Sequence, residues 1–183
     1  ELSKMQETVS LFEAGDTEAL TTAAEANQSS FAHGLKLRYL LPGGYQLDNA
    51  SVPPLSYASL AMLGKAETTS KINTEVHLFG TPNQHIVMIE RVMNSSFELV
   101  GLLHLSLDVA LLEEIAESLP VQIGYAEIVQ RSTGKDLVLT GNGNKQLRNA
   151  EATTASINDT RWIVAYWPGN GATAVASNDA GGG

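Results

Sequence analysis

The sequence predicts an α+β fold: a central, mainly antiparallel sheet flanked by helices, with a long N-terminal helix. Three observations predict it. Apolar residues recur at spacings of three and four near the N-terminus and again in the middle of the chain. Strand-length apolar or alternating runs fill the region between. Short turns such as 94–98 join those runs, the connection that antiparallel neighbours need.

Residues 2–13 read as a helix with Leu2, Met5, Val9 and Phe12 on one face. Gly15 and Asp16 interrupt it, and Asp16 is placed to cap a second helix over 17–30, with Leu20, Ala24 and Phe31 as its buried side. Gly34 opens a strand, Leu35 to Leu41. Leu35, Leu37, Tyr39 and Leu41 fall on one face, and Lys36 and Arg38 on the other. Pro42, Gly43 and Gly44 end it. A loop follows, then a third helix over 55–66 with Leu55, Leu60 and Leu63 inward.

Three strands come next: Glu75 to Phe79, His85 to Met93, and Leu99 to Leu107. The last is almost wholly apolar and belongs in the middle of the sheet, covered on both faces. Asp108 can cap a helix over 109–118, which Pro120 stops. Strands are expected at 121–130 and 136–140. A polar run, 141–160, precedes a final strand from Arg161 to Trp167. The organisation expected is a core over 1–120, extra antiparallel strands over 121–168 that extend the sheet or form a small lobe, and a flexible tail over 169–183. Trp162, Tyr166 and Trp167 give the final strand bulk on both faces. It is therefore covered on both sides, part of a contact with another chain, or close to a membrane surface.

Composition narrows the function. The chain has 183 residues and a formal net charge of −9, which repels phosphate backbones and argues against nucleic-acid binding. It has no cysteine, so disulfides, thiolate metal sites and thiol nucleophiles are excluded. The apolar stretches stop at strand length, short of the roughly 20 residues of a membrane span. A start inside a helix and an end in three glycines suggest the cut ends of a longer protein.

No complete active site is visible, and no catalytic residue, metal or cofactor is assigned. His77 and His85 flank the Gly80–Asn83 turn and could meet, with Glu75 or Glu90 nearby; histidines satisfied by backbone or water are the stronger reading. No Ser-His-Asp motif can be read, and the glycine-rich turns lack a phosphate-binding spacing. Glu113, Glu114 and Glu117 read as a solvated helix face. The candidate ligand residues are Arg38, Tyr39, Tyr57, Phe79, Arg91 and His104, an aromatic wall with a few polar contacts beneath helix 55–66. An ordinary core with a polar edge is the competing reading.

Several segments carry a resemblance. Pro54-Leu55-Ser56-Tyr57-Ala58, the strand from Glu75 to Gly80, Gln84-His85-Ile86, and Leu102 to Leu112 with Ser106-Leu107-Asp108 together resemble the N-terminal extension of some bacterial phosphomannomutase/phosphoglucomutase proteins. The resemblance covers about residues 10–168. It implies a periplasmic sensor domain of the Cache type, PAS-like in fold, held between two membrane helices ahead of a cytoplasmic mutase. The mutase activity does not carry over: Ile157 stands where the phosphoserine loop needs histidine, and no Asp-Gly-Asp metal loop is present. The function expected is a non-catalytic extracytoplasmic sensor or regulatory domain of a membrane-anchored parent, with a small-molecule ligand and a second copy of the chain as its candidate partners. The alternative is a structural or dimerisation module without a ligand.

Overall fold

The structure is a computed structural model that describes residues 2–120 and 123–169. The expected tail beyond Gly169, and the expected strand start at 121–122, lie outside the described residues. The fold is mixed α+β, with two four-stranded antiparallel sheets. The chain forms two compact units, Glu1–Val109 and Ala110–Gly183. The later strands thus make a sheet of their own, and the helix expected to close the first core belongs to the second unit.

The first unit contains α1 (Leu2–Ala14), α2 (Thr17–Asn27), β1 (Gly34–Leu40), α3 (Tyr57–Thr68), β2 (Glu75–His77), β3 (His85–Met93) and β4 (Leu99–Leu107). At 13 residues α1 is of ordinary length rather than long. Asp16 caps α2 as expected, accepting from the amides of Glu18 and Ala19. The sheet order is β1-β4-β3-β2, which puts β4 inside and β1 at an edge.

Adjacent residues of β4 face opposite ways, and each face has its own helical cover. Leu102 packs with Leu55, Met62, Leu63, Ala66, Val87 and Ile89 under α3. Leu103 packs with Phe12, Leu20 and Val92 under α1 and α2. Burying each such side chain stabilises the unit by roughly 1.5–3 kcal/mol. Gly101 is the small residue in β4 that lets α1 approach, since a Cβ there would overlap the Phe12 ring.

Two residues expected inward are exposed, and Leu60 is only partly buried. Met5 is 66% exposed because the buried stripe of α1 centres on Phe12, and Phe31 is 40% exposed because α2 ends at Asn27 and the chain turns through a short 3-10 segment, Gln28–Ser30.

The second unit contains α4 (Ala110–Ser118), β5 (Tyr125–Gln130), β6 (Leu137–Gly143), β7 (Thr153–Ser156) and β8 (Trp162–Trp167), in sheet order β6-β5-β8-β7. β7 falls inside the run expected to be irregular. Its four residues are all exposed, so no alternation of polarity betrays it. Every residue of β5 is buried. Trp162 and Trp167 are buried too; their indole N–H groups donate to Gln130 Oε1 and to the Asn149 carbonyl, both at 3.0 Å. The final strand is therefore covered on both sides.

Candidate functional site

As an edge strand, β1 has a paired neighbour on one side only. Along its other side α2 and the segment 44–55 leave a cleft of about 450 Å³. Thr21, Ala24, Glu25 and Gln28 of α2 form one wall, residues 36–40 of β1 the floor, and residues 44–48 with Leu55 the other wall.

Local hydrogen bonds hold the second wall. The backbone of Asp48 pairs both ways with Leu55, at 3.1 and 2.9 Å. The Asp48 carboxylate accepts from the amides of Ala50 and Ser51, each at 3.2 Å, and from the Ser51 hydroxyl. The Ser51 hydroxyl does most to hold this carboxyl below its ordinary pKa. The Tyr45 hydroxyl donates to Glu67 on α3; burial first, then Glu67, push its pKa up to about 12.

Two cations sit on the floor. Lys36 Nζ donates to Ser51 Oγ at 3.3 Å. Arg38 is 8% exposed; its Nη2 donates to the Pro53 carbonyl at 3.1 Å, and its Nη1 is buried without a partner. Burial lowers the pKa of this guanidinium, and the charge of Asp48 partly offsets that. Beside it, the Tyr39 hydroxyl accepts from Asn27 Nδ2 at 3.0 Å.

A second polar group lies under α3. His104 Nε2 is 3.0 Å from Ser59 Oγ, which is 3.3 Å from His77 Nδ1, and His77 Nε2 is 3.0 Å from Glu75 Oε1. His85 Nδ1 donates to the Asn83 carbonyl at 2.7 Å, and its ring meets that of His77 edge-on at 5.7 Å. Burial drives the His104 pKa down to about 3, helped by the charge of Arg38. Burial also lowers that of His85, against the pull of the Asn83 carbonyl. Both rings are neutral near pH 7.

The stronger expectation, histidines satisfied by backbone or water, holds for the Asn83 contact of His85, whereas His77 is met by the side chains of Ser59 and Glu75. A serine between two imidazoles, one backed by a carboxylate, has the parts of a nucleophile-activating array. It is sealed, however: Ser59 and His104 have no exposed surface, and neither lines the β1 cleft. Among the described residues, no three His, Asp or Glu side chains are placed to hold one metal ion.

Of the six candidate residues, the cleft brings together only Arg38 and Tyr39. Tyr57, at the start of α3, is 76% exposed. Phe79 sits half-buried in the turn after β2. Arg91 lines a separate groove of about 260 Å³ beside α1. His104 belongs to the sealed cluster. The space beneath α3, where a ligand was expected, is filled by Leu55, Met62, Leu63 and their neighbours.

Sequence reading missed Ser59, although it shares the apolar stripe of Met62, Leu63 and Ala66, where a hydroxyl needs a partner. It also missed Asp48, whose turn residues resemble any surface loop. Among the described residues, no helix is long and apolar enough to cross a membrane. No protein-family model matches the chain, and no curated protein matches it at a significant level.

Proposed function

We propose that this chain is a non-catalytic ligand-sensing module, and that its ligand occupies the cleft between α2 and residues 44–48. In this reading it is the periplasmic, Cache-like and PAS-like regulatory domain of a membrane-anchored phosphomannomutase/phosphoglucomutase-like protein. The observation that carries the reading is the separation of two polar regions. The accessible one is a cleft with charged and aromatic walls, suited to a small organic molecule. The one holding a nucleophile and its bases has no exposed serine.

One cleft wall is α2, which packs with α1 in a shared apolar cluster. A ligand that draws α2 toward β1 would bias the α1–α2 pair, provided its affinity differs between the two positions.

The test is ligand-observed NMR with a panel of small acids, sugars and amines. Saturable binding is expected, and Thr21→Trp, which fills the cleft from an exposed position on α2, should abolish it. Absence of any binder, or binding indifferent to Thr21→Trp, would overturn the reading.

One observation favours a second reading, a dimerisation module. An apolar groove of about 160 Å³ on the α1 side of the sheet is lined by Phe31, Leu37, Met88, Leu103, Leu105 and Leu107. Sedimentation at rising protein concentration tests it, and a monomer throughout would remove it.

A further inference from the structure

Resting on the reading of the β1 cleft as the binding site, we propose that its ligand carries an oxyanion group, a carboxylate or a phosphate, which pairs with the free edge of the Arg38 guanidinium.

The charge of Arg38 is unbalanced. Arg38 is buried, and a buried guanidinium is costly unless a negative group or a full set of acceptors meets it. Its one acceptor is the Pro53 carbonyl, and Nη1 has none. Among the described residues no carboxylate forms an ion pair with it. The nearby acid, Asp48, has both oxygens committed to Ala50 and Ser51 in its own turn.

Glu75, the carboxylate of the neighbouring cluster, is engaged by His77 at 3.0 Å. Across the strand pair Arg38 faces His104, and its charge also acts on His85; neutral or protonated, an imidazole offers no negative charge. Lys36, two residues along the same strand, adds a second cation to the cleft. Glu25 also lines it, but from an exposed position on α2, where water screens its charge.

Chemistry then selects the class. A guanidinium with one N–H engaged and another unpaired is matched by a planar or tetrahedral oxyanion. The chain as a whole is strongly acidic, with a net charge of −9, so general electrostatics repel an anion. An anion that binds must be held by local contacts.

The test is isothermal titration calorimetry of the whole chain at about 0.15 M NaCl, where diffuse attraction is screened. The probes are acetate, succinate and inorganic phosphate, set against glucose and putrescine. Saturable binding of a carboxylate or of phosphate is expected, and which arm binds names the source of the oxyanion. Arg38→Gln should weaken it at least tenfold, and Arg38→Lys less, because it keeps the charge but loses the fork. Circular dichroism checks that the variants fold. Should Arg38→Gln fail to fold, Arg38→Lys and Lys36→Gln carry the test, each expected to lose affinity several-fold.

Binding of glucose or putrescine alone, abolished by Thr21→Trp, would overturn the oxyanion assignment while leaving the cleft as the site. Anion binding unchanged by every Arg38 and Lys36 variant that folds would do the same. If no probe of any class binds, the cleft reading falls together with the assignment.

Discussion

Ser59 on α3 and His104 on β4, 45 positions apart in the chain, are joined at 3.0 Å in a place where neither has any exposed surface. Ser59 also approaches His77 at 3.3 Å, so one hydroxyl serves two imidazoles on two strands. Ser59→Ala leaves both ring nitrogens without this partner in the interior. A loss of about 1–3 kcal/mol is expected in urea unfolding. A change below about 0.5 kcal/mol, the range of an ordinary surface substitution, would contradict this role.

The same cluster sets an acid limit. His104 and His85 have lowered pKa values in the folded chain, to about 3 for His104, while the unfolded chain takes up protons near 6.5. Between these values the unfolded state binds more protons, so stability falls as pH falls. The contribution is whole above pH 6.5 and is lost progressively down to about 3. Within this window His104 contributes a slope of about 1.4 kcal/mol per pH unit, and the lowered His85 acts in the same direction. Urea midpoints from pH 7 to 5 should decline, and His104→Gln should flatten the decline by about one proton. Equal slopes in the two proteins would contradict the assignment.

Gly101 and Phe12 form the contact that seats α1. Gly101→Ala puts a methyl where the Phe12 ring lies, and overpacking of this kind costs about 1–3 kcal/mol. Phe12→Leu in the same chain should recover part of that loss. The measure is thermal unfolding combined with the rate at which protease cuts α1; additive effects of the two substitutions would show that they do not share a contact.

In the second unit, Glu127 is 1% exposed on the inner strand β5, paired with Arg148, which also lies over the Trp167 ring at 5.5 Å. The second carboxylate oxygen of Glu127 is buried without a partner. Arg148→Ala leaves a buried charge uncompensated, whereas Glu127→Gln removes it. Because the Arg148 side chain is half exposed, the expected loss for Arg148→Ala is only about 2 kcal/mol. Glu127→Gln should lose less, and the reverse order in urea unfolding would count against the pairing.

Much of the framework was legible because it rests on local pattern. The strands 85–93 and 99–107 are long apolar runs bounded by turns, and they stand where expected. Asp16 announced α2 by its capping chemistry. β7 was hidden because Thr153 to Ser156 are small, polar and exposed, which a loop would be too.

The site divides the same way. Arg38 and Tyr39 stood out as polar and aromatic residues on a strand, and both line the cleft. His104 and Tyr57 looked equally eligible, yet packing took one inward and left the other in solvent. Ser59 met His77 and His104 only through tertiary folding, across 18 and 45 positions, which no local pattern encodes.

The most direct test of the central claim is a map of backbone amide shifts as a library of small organic compounds is added to the chain. Binding in the cleft predicts perturbations confined to residues 21–28, 36–40 and 44–48. Perturbations centred on Ser59, His77 and His104, or turnover of any compound that Ser59→Ala abolishes, would contradict it.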